Sequence, residues 1–258
     1  MLEVVKRDGI ARVTLNRPEV RNAFDDALIA ALTKAFLEIG KDDGIRVLVL
    51  AGNGPAFCAG ADLNWMKRMA GYGHQENLAD AQALAVMLAT LDRMPKPTIA
   101  RVHGPVFAGG TGLVAACDIA VGTPEAKFCI SEAKLGLSPA TISPHVLRAI
   151  GEREARRYFL TAEVFDAAEA HRIGMLSILT QNLDATIEDL LRHLLAGGPQ
   201  AHREIKALIR SVCGRPIDDA LVADTAKRIA EIRVSPEGRE GIASFLEKRK
   251  ASWCSPKS

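Results

Sequence analysis

The chain has 258 residues, 48% of them hydrophobic, and a formal net charge of +2. That length and apolar content suit one large domain, or a domain with a small tail, around a sizeable core. Charge spread so evenly gives no electrostatic case for nucleic acid as the main partner, and with no run of 18 apolar residues the chain has no membrane span.

Residues 2–15 read as two short strands around Asp8-Gly9, a hairpin signal. Asn16-Arg17-Pro18 breaks that pattern. Over residues 25–40 the spacing Leu28, Leu32, Ala35, Phe36, Ile39 is helical, with Gly40 as its stop. Asp42-Asp43-Gly44 is a turn, and residues 45–50, IRVLVL, form a buried strand. Residues 51–62 are too rich in Gly and Ala for a solvated loop and should pack against something. A helix over 63–70 is interrupted at Gly71-Tyr72-Gly73, and a long amphipathic helix over 76–93 ends at Pro95-Lys96-Pro97.

Residues 98–139 hold the densest set of signals: an apolar strand at 98–102, a turn at Gly104-Pro105, Gly109-Gly110, and a small-residue helix over 111–117. A second strand at 119–121 leads on to Ser131-Glu132. Alternating strands and helices to this point argue for an α/β layered core. Beyond residue 143 the chain reads as helices at 143–150, 152–160, 166–173, 184–196, 199–213, 217–234 and 236–250. This is either two domains or a core with a helical tail.

Cysteines at 58, 117, 129, 213 and 254 form no CxxC pair, which argues against a disulfide framework and a structural zinc site. We expect a reducing, cytoplasmic setting, and no cationic, apolar leader opens the chain. No histidine or carboxylate cluster has metal-ligand spacing. The segment GPVFAGGT at 104–111 has the frame of a phosphate loop, but Gly110 stands where the lysine is needed. No GxGxxG follows a strand. Ser143 and His145 suggest a hydrolase only weakly, because no GxSxG elbow exists. His103 reads as structural, and His171, His193 and His202 as solvated.

Two Gly/Ala-rich steps remain. FCAGAD at 57–62 and FAGG at 107–110 each follow a strand and open a helix. Their bland reading is a tight turn and a helix cap. Their functional reading is a pair of backbone donors, Ala61 N–H and Gly109 N–H, that holds a developing oxyanion. Glu132, set among apolar neighbours, is a proton-transfer group if burial raises its pKa. An exposed strand-end carboxylate fits the sequence equally well.

Taken together, LNRPEVRNAF at 15–24, IRVLVLAGNGPAFCAGADL at 45–63, KPTIARVHGPVFAGGTGLVAACDIAVG at 96–122, AKFCISEAKLGLSP at 126–139 and SPEGREGIASFLEKRKASW at 235–253 resemble the enoyl-CoA hydratase/isomerase (crotonase) superfamily. The resemblance implies an α/β spiral of ββα repeats over residues 1–195 and a helical C-terminal region, 196–258, that builds trimers or dimers of trimers. It implies an enoyl-CoA thioester as substrate and no separate cofactor or metal. Catalysis falls to Glu132, Ala61 and Gly109. Arg21, Ala23, Ala59, Asp62 and Leu63, with Phe245 and Lys248, fall at CoA-binding positions. One departure matters: many hydratases of the family carry a first glutamate where this chain has Gly112. That leaves hydration by Glu132 and Δ3,Δ2-enoyl-CoA isomerisation both open, with a non-catalytic acyl-CoA or RNA-binding protein as a rival of another class. FCAGADLNWMKRM at 57–69 and residues 131–163 resemble bacterial methylglutaconyl-CoA and isohexenylglutaconyl-CoA hydratases more narrowly.

Overall fold

The computed structural model describes residues 1–254. Contacts divide the chain into two compact units, Met1–Asp189 and Leu190–Ser258.

The first unit is wound from similar turns. Hairpin strands β1 (Leu2–Arg7) and β2 (Ile10–Leu15) pair antiparallel, as Asp8-Gly9 predicts; both residues take positive φ. Strands β3 (Val47–Gly52), β4 (Thr98–Val102), β6 (Ile119–Gly122) and β9 (Ile178–Leu179) then add in parallel, giving the order β1-β2-β3-β4-β6-β9. Strands buried on both faces read as continuous apolar runs, and β3, with five of six residues buried, is one.

A second layer is built from much shorter segments. Strands β5 (Pro105–Phe107), β7 (Lys127–Cys129) and β8 (Phe165–Asp166) form a three-stranded sheet. Two isolated parallel bridges, Cys58 with Val106 and Phe24 with Ala61, extend it in the other direction. Each turn therefore runs from a large-sheet strand to a short second-layer segment and into a helix. From β2 the chain passes Phe24 into α1 (Asp26–Lys41), and from β3 it passes residues 58–61 into α2 (Leu63–Met69). From β4 it passes β5 into α4 (Gly109–Ala116), after α3 (His74–Asp92) has closed the preceding turn. From β6 it passes β7 into a 3-10 turn, Glu132–Leu135. Phe24, Leu28, Leu48, Leu50, Phe57, Val106 and Phe128, all almost fully buried, belong to the core between these layers.

Several boundaries differ from the sequence reading, each for a local reason. Strand β3 starts at Val47 because the Ile45 and Arg46 amides are spent on Asp42 O and Gly9 O. Pro105 begins β5 instead of completing a turn, and Gly104 alone makes the bend, at φ 58°. Helix α4 begins at Gly109, not Thr111. Helix α3 begins at His74, where Glu76 reaches back to the Gly73 N–H at 2.7 Å. The two helices expected over 143–160 are one element, α5 (Ser143–Thr161), broken by Gly151 at φ 74°. The helix expected over 166–173 is α6 (Ala167–Arg172), its predecessor Asp166 ending β8.

The second unit is helical: α7 (Leu183–Ala196) leads into it, followed by α8 (Pro199–Val212), α9 (Asp219–Val234) and α10 (Pro236–Leu246). Glu237 of α10 caps α8, its carboxylate accepting from Gln200 N at 2.9 Å and Ala201 N at 2.8 Å. Helix α10 stops four residues before the expected 250. Lys248 turns left-handed at φ 54°, and Arg249 N donates to Ser244 O at 3.0 Å, the six-to-one bond of a Schellman stop. No helix of the described residues is long and apolar enough to cross a membrane.

Candidate active site

The second layer sets the register of the site. Cys58 N donates to Pro105 O at 3.2 Å, and Phe107 N donates to Cys58 O at 2.9 Å. With Cys58 paired to Val106, three further residues along each segment bring the chain to Ala61 and Gly109. The approach is close because both sides are stripped of bulk. A Cβ on Gly60 would lie 3.3 Å from Ala108 Cβ, and one on Gly110 would lie 2.6 Å from Cys58 O.

Both donors are left open. Ala61 lies between Gly60 O, which accepts from Phe24 N at 2.7 Å, and Asp62 N, which donates to Phe24 O at 2.7 Å. The alternation of a parallel ladder directs the Ala61 N–H away from that partner. Gly109 is the first residue of α4, where an N–H has no acceptor within the helix. Among the described residues, neither N–H finds a hydrogen-bond partner. Ala108, just before Gly109, holds φ 46° and ψ −119°. That conformation is rare for a side-chain-bearing residue, and it costs on the order of 1–3 kcal/mol. The ladder bond from Ala108 N to Cys129 O, 2.8 Å, helps to hold it.

Glu132 opens the 3-10 turn that follows β7, at the same stage of its own turn of chain. It is half-buried, and its Oε2 is enclosed without a hydrogen-bond partner among the described residues. Burial pushes its carboxyl pKa above the usual glutamate range, with its own amide working in the other direction.

The residues expected around CoA separate into two groups. Asp62 is almost fully buried and committed within the chain: its carboxylate caps α2 through Asn64 N (2.8 Å) and Trp65 N (3.3 Å) and pairs with Arg17 at 3.0 Å. Burial opposes its ionisation, but those amides and Arg17 outweigh it and hold the pKa below the usual aspartate value. Ala23 is likewise engaged, its carbonyl accepting from Arg17 at 2.9 Å. Ala59 gives its N–H to Arg21 O at 3.0 Å. Arg21 and Leu63 present exposed side chains, Leu63 at 74%. Phe245 and Lys248 belong to the second unit, at and just beyond the end of α10, and both are exposed.

Two residues that the sequence reading passed over brace this frame. Arg17 spans two helix starts, pairing with the α1 cap Asp25 at 2.8 Å as well as with Asp62. Asn22, fully buried at φ 57°, accepts from Arg17 N and donates to Asn53 O and Ala56 O, all at 2.8 Å. Their signal was the polar NR–RN pattern inside residues 15–24, which carries no periodicity.

The other polar candidates fall away. Ser143 donates to Ala140 O at 2.9 Å, a local bond at the start of α5. His145 is buried, which lowers its pKa, and its Nδ1 has no partner among the described residues. His103 contacts Gly54 O at 2.8 Å, as a structural residue should. His202 is half-buried against Gly197, not solvated. At Gly112 a Cβ would lie 2.5 Å from Ile142 Cγ2 and 3.3 Å from Leu88 Cδ1, so any side chain there meets packed core.

A spiral of sheet–sheet–helix turns, shared with solved enoyl-CoA hydratases, is the architecture of the crotonase fold. The chain belongs to the enoyl-CoA hydratase/isomerase family, whose pattern matches residues 5–256. It is similar to a crystal structure of an enoyl-CoA hydratase from Shewanella pealeana, with 42% identity, a TM-score of 0.96, and 98% of this chain and 95% of that one covered. Enoyl-CoA hydratase AKT6-1 of Alternaria alternata is 35% identical over 96% of this chain and 82% of its own. Crotonyl-CoA hydratase of Syntrophomonas wolfei is 30% identical over 97% and 96% respectively.

Proposed function

We propose that the protein is an enoyl-CoA hydratase that uses Ala61 N–H and Gly109 N–H as its oxyanion donors and Glu132 as its proton carrier. The supporting observation is the combination of two unspent donors in one register with a buried carboxylate oxygen that has no partner. In this reading the thioester carbonyl accepts from both N–H groups. Water attacks the β-carbon as Glu132 takes its proton; the α,β π pair shifts to join the α-carbon to the carbonyl carbon, and the carbonyl π pair moves onto the thioester oxygen. The enolate then collapses, and the α-carbon takes the proton from Glu132. Donors aimed at the developing charge lower this barrier most.

Isomerisation of a 3-enoyl thioester is the second reading, and one observation favours it. Gly112 faces packed core, so Glu132 has no carboxylate partner from that point of α4. A single carboxylate suffices to carry a proton between two carbons. We take 3-methylglutaconyl-CoA as the first substrate to try, on the resemblance of residues 57–69 and 131–163. We also propose CoA-binding roles for Arg21, Ala59 and Leu63 in the first unit and, separately, for Phe245 and Lys248 in the second, and that residues 196–258 serve self-association. The exposed Ile217, Phe245 and Leu246 are consistent with that role.

Incubation with 3-methylglutaconyl-CoA in deuterated water, read by mass spectrometry and NMR, tests the reaction. A hydrated product carrying deuterium at the α-carbon is expected. A shifted double bond without added water means isomerase, and tight CoA binding without turnover on any enoyl thioester rules out both.

A further inference from the structure

The two halves of the site rest on a shared base. Helix α4, which begins with the donor Gly109, packs on α5, and so does the short turn that begins with Glu132. One part of the fit of α4 to α5 is read at Gly112. Gly112 lies one helical turn beyond Gly109, and its bare backbone meets Ile142: a Cβ there would be 2.5 Å from Ile142 Cγ2 and 3.0 Å from Ile142 Cβ. Ile142 is 1% exposed and stands at the start of α5, on the chain that has just left the Glu132 turn. Leu88 closes the same spot from α3.

The geometry points to Ile142 as a positioning residue: its Cγ2 methyl, seated on Gly112, sets the separation between the Gly109 N–H and the Glu132 carboxylate. The inference rests on the reading that those two groups act on one substrate. A β-branched side chain suits the task because two heavy atoms on Cβ hold χ1 stiffly and fix the methyl in space. The gap it sets matters because a displacement of about 1 Å between reacting groups costs about a hundredfold in rate.

The test separates methyl placement from bulk. Ile142→Val keeps a methyl at the Cγ2 position and loses volume, whereas Ile142→Leu keeps volume and loses that methyl. Ile142→Ala loses it without adding reach, and replaces the leucine variant if that one does not fold. Two readouts are taken on the full chain: kcat and KM for crotonyl-CoA, and the titration midpoint of Glu132 by carboxyl ¹³C NMR, assigned through Glu132→Gln. For the valine variant we expect kcat within about threefold of wild type; for leucine or alanine, a loss of about thirtyfold with KM within about twofold. The Glu132 midpoint is expected to stay raised in the valine variant and to fall toward the ordinary glutamate value in the other two. A leucine variant that matches the valine variant in either readout overturns the proposal. If the wild type turns over no enoyl thioester, the hydratase reading fails on its own, and the midpoints alone decide on Ile142: a fall confined to leucine and alanine supports it, and equal midpoints overturn it.

Discussion

Glu132 illustrates how one buried atom links chemistry to stability. A carboxyl oxygen enclosed without a donor prefers to remain protonated, so the acid limb of the kcat/KM profile should lie above the ordinary carboxylate range. Glu132→Gln should lower turnover by at least about a hundredfold while leaving CoA-thioester binding intact. The same substitution should stabilise the fold in alkaline solution. A folded pKa raised above the unfolded value near 4.5 means that neutral Glu132 favours the fold at low pH, and the benefit disappears as pH rises through the folded pKa. Calorimetry should therefore show the glutamine variant melting above wild type near pH 8 and level with it below pH 4. Arg17 works oppositely, by helping to keep the Asp62 carboxylate ionised. Arg17→Met would remove the cation from between Asp25 and Asp62, each 3.0 Å or less from its guanidinium, and leave them to their helix-cap amides. We expect a loss of about 2–4 kcal/mol in urea unfolding, the cost of breaking a largely buried pair. As candidates, Glu132 and the two donor steps stood out in the sequence, because residue type and spacing mark them. Arg17 and Asn22 did not: besides local bonds, Arg17 joins Asp62, 45 positions on, and Asn22 joins Asn53, 31 positions on, and nothing local marks either side chain for the interior.

At the scale of elements, the bends decide where the donors point. Gly104 holds φ 58°, and a Cβ there would meet Pro55 O at 2.2 Å. Gly104→Ala should cost more than about 2 kcal/mol, through backbone strain and overlap together, and should lower turnover by displacing β5 and the α4 start. A thermal melt paired with a turnover assay on an enoyl thioester checks this. The long elements followed from periodicity: α1 from its Leu28–Ile39 spacing, and β3 from its apolar run. Strands β5, β7 and β8 did not, because two or three residues cannot display an alternation. Their pairing comes instead from the neighbouring turns, and their stacked rings Phe128 and Phe165, 5.5 Å apart, lie far from each other in sequence.

At the scale of the molecule, the α/β layering was legible from alternating strands and helices, but its winding was not. Large-sheet neighbours such as β2 and β3 are separated by a whole turn of chain, and only the resemblance joined them. The helical unit carries the proposal about assembly. Phe245, 82% exposed at the end of α10, is a costly side chain to leave in water. If it serves an interface between copies, Phe245→Asp should lower the sedimentation coefficient at micromolar protein while the first unit keeps its circular dichroism. An unchanged coefficient would remove Phe245 from that interface.

The helix starts have a consequence for how this scaffold accepts change. Phe24-Asp25, Ala61-Asp62, Gly109-Gly110 and Ser131-Glu132 stand at corresponding places in four successive coils of the chain. They work as a row of sockets on one spindle, with the winding fixed by the large sheet and each socket set by what packs there: Phe24 is buried, Asp62 caps α2, and a Cβ on Gly109 would lie 2.8 Å from the Phe24 ring. Exchanging what a socket holds alters the reagent without rewinding the spindle. Inserting one residue in a rung does the reverse: it slides the socket about 3.3 Å along and turns its side chains to the opposite face. Such a scaffold resists insertion in the rungs, and it admits a new side chain only at a socket whose neighbours leave room for it.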